Sequence, residues 1–371
     1  MNRKSWQAVM KRVFKNLLLY VLMGCMITLL GCSRTKIVDD VSIVHVFGLD
    51  LAENGEILGT ALIPDYSVSA EVDHILAVEE QVPAGVLFIP EMSRHTSTRV
   101  ELAKIRVIVF GKDFAENGVK DMVDRFIFTP ELGTNIQIAV TTHTANETLK
   151  TFMQEQSLTL IDRIEHNMIE QGQPQMNLHY FLNQFYGEGM DAYVPMITID
   201  NQNRIKVDGI GIISKSKLKL HLPEKETSLF SLIKDKRAQA TYHLDLGEKR
   251  DENITLRGFR SKSEWEWNKE KDEVTLNLKL KVTLTQHPNR FDLSKTEDLQ
   301  KIKKLIAKEL EEDIHNLLAT FKENEVDPLG IGNIVRSKDR TWEKESFYRK
   351  YPDIPIHVNV DVGIIHSGLE N

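Results

Sequence analysis

The segment TEDLQKIKKLIAKELEEDIHNLLATFKEN, residues 296–324, sets Leu299, Ile302, Leu305, Ile306, Leu310, Ile314, Leu317, Leu318 and Phe321 three and four residues apart. That spacing draws one apolar stripe along a helix. About 28 residues at ~1.5 Å each make a rod of ~42 Å. The strands on either side of it are one-faced. In EVTLNLKLKVTLTQ, Val274, Leu276, Leu278, Leu280, Val282 and Leu284 alternate with Thr275, Asn277, Lys279, Lys281, Thr283 and Thr285. In IPIHVNVDVGII, Ile356, Val358, Val360, Val362 and Ile364 alternate in the same way. Successive strand side chains point to opposite faces, so each strand has one buried and one wet side. The expected architecture is an open sheet with the helix lying across its buried face.

Upstream, strand and helix patterns interleave. VSIVHVFGLDL (41–51) alternates like a strand, Asn54-Gly55 is a hairpin signal, and ILGTALIP returns as its partner. Residues 67–83 read as a polar surface excursion, AGVLFIP as a short strand and SRHTSTRVELAKI as a helix start. RVIVFG is a buried strand ending at Gly111, and KDFAENGVKDMVDRFIF is an amphipathic helix interrupted at Gly118. NIQIAVTTH is a strand. Thr144 with Glu147 three residues on is a capping box that opens TANETLKTFMQE. Further helices are expected around 158–171 and 177–186, and this half reads as mixed α and β around four or five strands. Pro195 and the DNQN turn (200–203) mark the break. Beyond it come a strand at RIKVDGIGIIS, a short helix at ETSLFSLIKD, and strands near 240–246 and 254–262.

The fold class is therefore α+β: a multi-domain mixed α/β chain with a C-terminal, largely antiparallel sheet packed on one long helix. The expected divisions are a leader over 1–31, an N-terminal α/β domain over 32–199 and a C-terminal α/β domain over 204–368. Whether 204–262 forms a separate middle domain is left open.

The leader is distinct in composition. Arg3, Lys4, Lys11, Arg12 and Lys15 are followed by the uncharged run Leu17–Gly31. A basic region before a short apolar one is the secretory signal pattern. The run is shorter than the ~20 residues of a spanning helix. Removing the five cations takes the net charge from −7 to −12, and so acidic a body is a poor partner for nucleic acid. The two cysteines, Cys25 and Cys32, both lie in this region. The body after Cys32 therefore has no disulfide, cysteine metal site or cysteine nucleophile. Leu29, Leu30, Gly31 and Cys32 resemble the cleavage junction of a bacterial lipoprotein precursor. Cleavage before Cys32 would leave that residue acylated. The rival junction at Cys25 leaves an apolar segment of only Leu17–Gly24.

No catalytic constellation emerges. Asp162, His166 and Glu170 fall at i, i+4 and i+8 and could share a helix face, but no HExxH or second cluster accompanies them, and they read as a solvated face. Glu309–Asp313 read as the wet side of the long helix. Gly209 and Gly211 in DGIGIISKSK, and the glycines of LGIGN (329–333), lack the third glycine and the helix of a dinucleotide fingerprint. They read as strand or turn glycines. Trp265 and Trp267 share a strand face and read as core. No metal ligand, cofactor-binding residue or catalytic residue is assigned.

An ordered series of patches resembles the Ger(x)C family, the C-subunit lipoproteins of spore germinant receptors. LLGCS and VSIVHVFGLDLAENG resemble its lipobox and first hairpin. LAKIRVIVFGKDFAENGVKDMVDRFIFTPEL and TTHTANETL follow in the family's order, then VDGIGIISKSKL, VDPLGIGNIVRSKDRTWEKES and IPIHVNVDVGIIHSG. The chain departs from the family at SRTK after Cys32, where a Trp-Asp-Arg run is common. It departs again at KLKLHL, which lacks a glycine. The resemblance implies a non-enzymatic protein held by acylated Cys32 on the extracytoplasmic side of the spore inner membrane. It also implies two integral membrane subunits as partners, a role in nutrient-triggered germination, and no cofactor. Direct small-molecule binding is left open. The alternative is the substrate-binding lipoprotein of a membrane transporter. Repeated βα units with fully apolar parallel strands are expected there, whereas the clearest strands here alternate.

Overall fold

The computed structural model describes residues 15–17, 41–64 and 75–365, apart from 84, 87, 97, 103, 130–131, 134, 155–159, 161–163, 165, 167–172, 175, 235–236 and 245–252. Ser42–Asn371 form one compact unit. Its elements, in chain order, are strands β1 (Val41–Ile43), β2 (Val46–Leu51), β3 (Ile57–Pro64) and β4 (Ile75–Val82), helix α1 (Phe88–Met92), β5 (Arg99–Glu101), β6 (Val107–Phe110), α2 (Lys112–Asn117), α3 (Lys120–Ile127), β7 (Gln137–Thr141), α4 (Ala145–Gln154), α5 (Leu178–Tyr186), β8 (Ala192–Ile199), β9 (Ile205–Ser214) and β10 (Lys217–Leu222). There follow α6 (Glu224–Lys234), β11 (Arg237–Leu244), β12 (Ile254–Asn268), β13 (Glu273–Gln286), α7 (Thr296–Glu323), α8 (Ile331–Lys338), α9 (Lys344–Lys350) and β14 (Ile356–Ile365).

The larger sheet has eight strands in the order β10-β9-β8-β7-β6-β2-β3-β4. Its four central strands, β2, β6, β7 and β8, run parallel. An antiparallel hairpin closes each side. β6 (VIVF) and β7 (QIAVT) are buried at every position, with no polar alternation. Helices cross from β6 to β7 and from β7 to β8 and cover both faces, and strands covered on both faces read as near-continuous apolar runs; the polar members of β7, Gln137 and Thr141, stand at its two ends. The alternation that argued against a transporter-type fold is therefore a property of the C-terminal sheet and does not extend to this centre. The sheet also holds more strands than the four or five expected. The DNQN turn is the tip of the β8–β9 hairpin, where Asn203 takes φ 57° and Asp200 accepts from the Gln202 and Arg204 amides. The sheet thus runs through the segment 200–203.

Three local expectations are corrected. Residues 75–82 form a strand on β3 rather than a surface excursion. AGVLFIP supplies a helical turn, because Phe88 and Met92, one turn apart, both bury against Gly59; a Cβ on Gly59 would sit 2.6 Å from the Phe88 ring and 3.1 Å from Met92. Within SRHTSTRVELAKI, residues 99–101 pair as a strand with β1, burying Val100. By contrast, the break at Gly118 is as expected: φ is 136° there, and its amide caps α2 on the Phe114 carbonyl. Thr144 Oγ1 accepts from Glu147 N at 3.1 Å, completing half of the expected capping box.

The smaller sheet, β11-β12-β13-β14, has two antiparallel pairings and a parallel one between β13 and β14. Register places Val274 opposite Ile356, Leu276 opposite Val358 and Leu280 opposite Val362, so the apolar rows of the two strands coincide. The helix α7 spans 28 residues and buries Ile302, Ile306, Leu310, Ile314, Leu317, Leu318 and Phe321. Each such side chain contributes about 1.5–3 kcal/mol relative to exposure. Two carboxylates in the segment read as wet surface instead tie the helix to both sheet edges. Glu311 accepts from Val360 N at 2.9 Å, and Asp313 accepts from the Tyr242 hydroxyl at 2.7 Å. Trp265 and Trp267 are partly buried against the core, as read from the sequence.

Candidate functional site

A buried hydrogen-bonded cluster joins the turn before β8 to the turn after α7, residues 136 positions apart. Asp327 is fully buried. Its Oδ1 accepts from Ile331 N and its Oδ2 from Gly332 N, both at 2.8 Å, which caps the start of α8. The Tyr348 hydroxyl donates to Oδ2 at 3.1 Å. Asp191 reciprocates through the backbone: its Oδ2 accepts from Asp327 N at 2.7 Å, while Asp191 N donates to the Asp327 carbonyl at 2.9 Å. Asn333 N donates to Gly189 O at 2.7 Å. Lys234, at the end of α6, donates to the Pro328 carbonyl at 3.2 Å.

Glycine makes the approach possible. Gly189 has φ 81°, and a Cβ there would lie 2.5 Å from Asn333 N. A Cβ on Gly332 would lie 2.8 Å from the Tyr348 hydroxyl oxygen and 3.0 Å from the Gly189 Cα. A helix does follow LGIGN, contrary to the expectation from sequence: Gly330, at φ 76°, stands at the start of α8, and Gly332 lies within it against Gly189.

Burial pushes the Asp327 carboxyl up to about 7; the Gly332 and Ile331 amides oppose the shift and the neighbouring Asp191 reinforces it. Burial also raises Asp191, against bonds from Asp327 N and Ser214. Tyr348 and Tyr351 are raised by burial and by both carboxylates. The Asp327 oxygens are occupied by two amides and a phenol, and its side chain is closed to solvent. A general acid or base needs contact with a reacting group, so this arrangement is a clasp that holds chain segments together.

A second buried aspartate does the same inside the eight-stranded sheet. Asp50, at the end of β2, accepts from Ala145 N at 2.6 Å and Asn146 N at 2.8 Å, capping α4. Burial raises its carboxyl as well, against those two bonds. A Cβ on Gly111 would come within 1.9 Å of Asp50 Oδ1.

Cys32, the one functional residue assigned from sequence, lies outside the described residues, as do Asp162 and Glu170; His166 is described and exposed. Among the described residues no group of His, Cys, Asp and Glu could hold a metal ion. No described helix is long and apolar enough to cross a membrane. Neither Asp191 nor Asp327 was singled out from sequence. The available signal was an Asp followed by a Pro and two glycines in VDPLGIGN, which marks a capped helix start but gives no hint of a partner 136 residues earlier.

Residues 34–199 match the family model described as "Spore germination protein N-terminal domain". Residues 208–368 match "Spore germination B3/ GerAC like, C-terminal". The chain is 26% identical over 347 residues to the spore germination protein GerQC of Bacillus cereus, covering 92% of this chain and 96% of that one. It is 22% identical to the spore germination protein KC of Bacillus subtilis (strain 168), covering 97% of each. The crystal structure of the GerBC protein superposes with a TM-score of 0.54 at 16% identity, over 86% of this chain and 96% of that one. At that identity the likeness shows the shared α+β fold.

Proposed function

Because the chain belongs to the Ger(x)C family of spore germination proteins, we propose that it is the lipid-anchored C subunit of a nutrient germinant receptor. In this reading it works with two integral membrane subunits on the extracytoplasmic side of the spore inner membrane. The observation that carries the reading is the pair of family matches. Together they run from residue 34 to residue 368 and leave outside them chiefly the leader and Cys32. The first begins two residues after Cys32, where an acylated cysteine would start the mature chain. A lasting attachment needs more than one acyl chain, which the diacylglycerol of a lipoprotein would supply.

The role is non-enzymatic: the chemistry of the clasp is structural, and no residue is assigned to catalysis. The parallel, helix-connected centre of the large sheet is the one feature that favours a transporter's substrate-binding lipoprotein. Against it stand the two family matches, one on each side of the 200–203 turn. Radioactive palmitate tests the anchor. Label is expected on the wild type and on Cys25→Ala, and is expected to be lost in Cys32→Ala. Loss in Cys25→Ala instead would place the junction seven residues earlier.

A further inference from the structure

A cavity of about 390 Å³ opens between α1, β5, β6 and α3. Its described walls are mostly apolar, including Phe47, Phe88, Ile105, Ile108, Met122 and Phe126. Four polar side chains also line it, none of them buried, and each makes a contact within the protein. Arg125 donates to the Gly85 and Val86 carbonyls at 3.3 Å, and Thr129 donates to the Arg125 carbonyl at 2.8 Å. Arg99 lies 3.5 Å from Glu101 as an ion pair. At the mouth stand Phe128, 83% exposed, and Val86, 38% exposed. Ile127, 49% exposed, is next to Phe128 in the chain.

This chemistry selects the occupant. The buried residues of the cavity wall are all apolar, so past the arginines at the rim each polar group of an amino acid or a sugar would lose its water without a partner. An aliphatic chain has none and benefits with each methylene it buries. The path of the chain points the same way. It enters the compact unit beside this cavity: Ser42 Oγ lies 2.6 Å from Thr98 Oγ1, and Val44 N donates at 3.0 Å to the carbonyl of Glu101, a wall residue. Cys32 is ten residues before Ser42, a span of at most ~36 Å. A lipid carried on Cys32 would thus be tethered to the chain at Ser42 by ten residues.

We propose that this cavity receives the aliphatic chain of a lipid, drawn either from the acylated Cys32 or from the bilayer next to it. The first source rests on the lipid-anchor reading above; the chemistry of the cavity does not. Phe128 and Val86 form the apolar lip over which the chain passes, and Ile105, Ile108, Met122 and Phe126 receive it.

The test uses the full chain expressed in its spore-forming host, with p-benzoylphenylalanine in place of Phe128 and cells fed alkyne-tagged palmitate. Irradiation is expected to join the peptide containing position 128 to a tagged lipid. Linkage to the Cys32 peptide identifies the protein's own anchor. Linkage to free lipid that persists in Cys32→Ala identifies the bilayer. Val86→Trp, a change at an exposed position that narrows the mouth, is expected to lower the yield at least five-fold without changing the circular dichroism spectrum. No lipid adduct, adducts to protein only, or a yield insensitive to Val86→Trp would overturn the proposal. If Cys32 carries no lipid by mass spectrometry, the anchor reading fails on its own, and the free-lipid adduct still decides the cavity.

Discussion

The two sheets of this protein bury their strands by opposite rules. In the four-stranded sheet each strand has one wet face, and β13 alternates buried Leu276, Leu278 and Leu280 with Asn277 and exposed Lys279 and Lys281. In the eight-stranded sheet the central strands are covered on both sides, and Val107, Ile108, Val109 and Phe110 are all 0% exposed in succession. The difference comes from connection. Parallel neighbours need crossovers, the crossovers here are helices, and the helices seal both faces. The smaller sheet takes one long helix on one face and leaves the other to solvent. One sheet therefore carries polar residues at every second position, and the other buries polar residues of its central strands where they find hydrogen bonds, as Thr141 does with Thr148 and Asp50 with the Ala145 and Asn146 amides.

The largest way to break the comparison is to open the clasp, because it holds the turn before β8, in the eight-stranded sheet, to the turn after α7, the helix of the four-stranded one. Asp327→Ala would leave the Ile331 and Gly332 amides buried without an acceptor. At ~1–3 kcal/mol for each unsatisfied group, the expected loss is about 2–6 kcal/mol in urea denaturation. Loss of cooperativity, with two transitions in place of one, would show that the clasp is what makes the sheets melt together.

A serine scan sharpens the rule itself. Ile108→Ser, Val109→Ser and Ile138→Ser are each expected to cost about 2–5 kcal/mol, the range for deleting a buried aliphatic side chain. In β13, Leu278→Ser should cost as much, while Lys279→Ser should stay within about 0.5 kcal/mol, as surface changes do. Equal costs at 278 and 279 would remove the distinction between the sheets.

A pH slope is also expected. The Asp327 carboxyl rises from an ordinary 3.8 to about 7 on folding. The folded chain therefore holds that proton more tightly than the unfolded chain. Its contribution favours folding below about 4, declines as pH rises through the interval from 4 to 7, and is flat above. Asp327→Asn carries no titrating proton and should show a flatter denaturation midpoint across that interval than the wild type. An unchanged slope would mean that other carboxyls set it.

These rules also explain what was legible in the sequence. The helix α7 and the strands β13 and β14 could be read directly, because periods of 3.6 and 2 are visible whenever one face is wet. β6 and β7 could be read as strands from their apolar runs. Such runs carry no facing information, so neither their parallel order nor the sheet's continuation through β9 and β10 could be seen. Short elements were misread for a different reason. Residues 88–92 become helical because Phe88 and Met92 bury against Gly59, a contact no local pattern announces. Glu311 and Asp313 look like ordinary helix surface until Val360 and Tyr242 arrive from distant strands. The clasp was the least legible feature, since its two aspartates are 136 residues apart and each alone resembles a loop residue.

The germination role is tested most directly in spores from which this chain has been deleted, exposed to a broad panel of nutrients and, separately, to dipicolinate. Slow or absent germination with at least one nutrient and a normal response to dipicolinate are expected, with the nutrient response restored by the wild-type chain and not by Cys32→Ala. A wild-type response to every nutrient on the panel would contradict it.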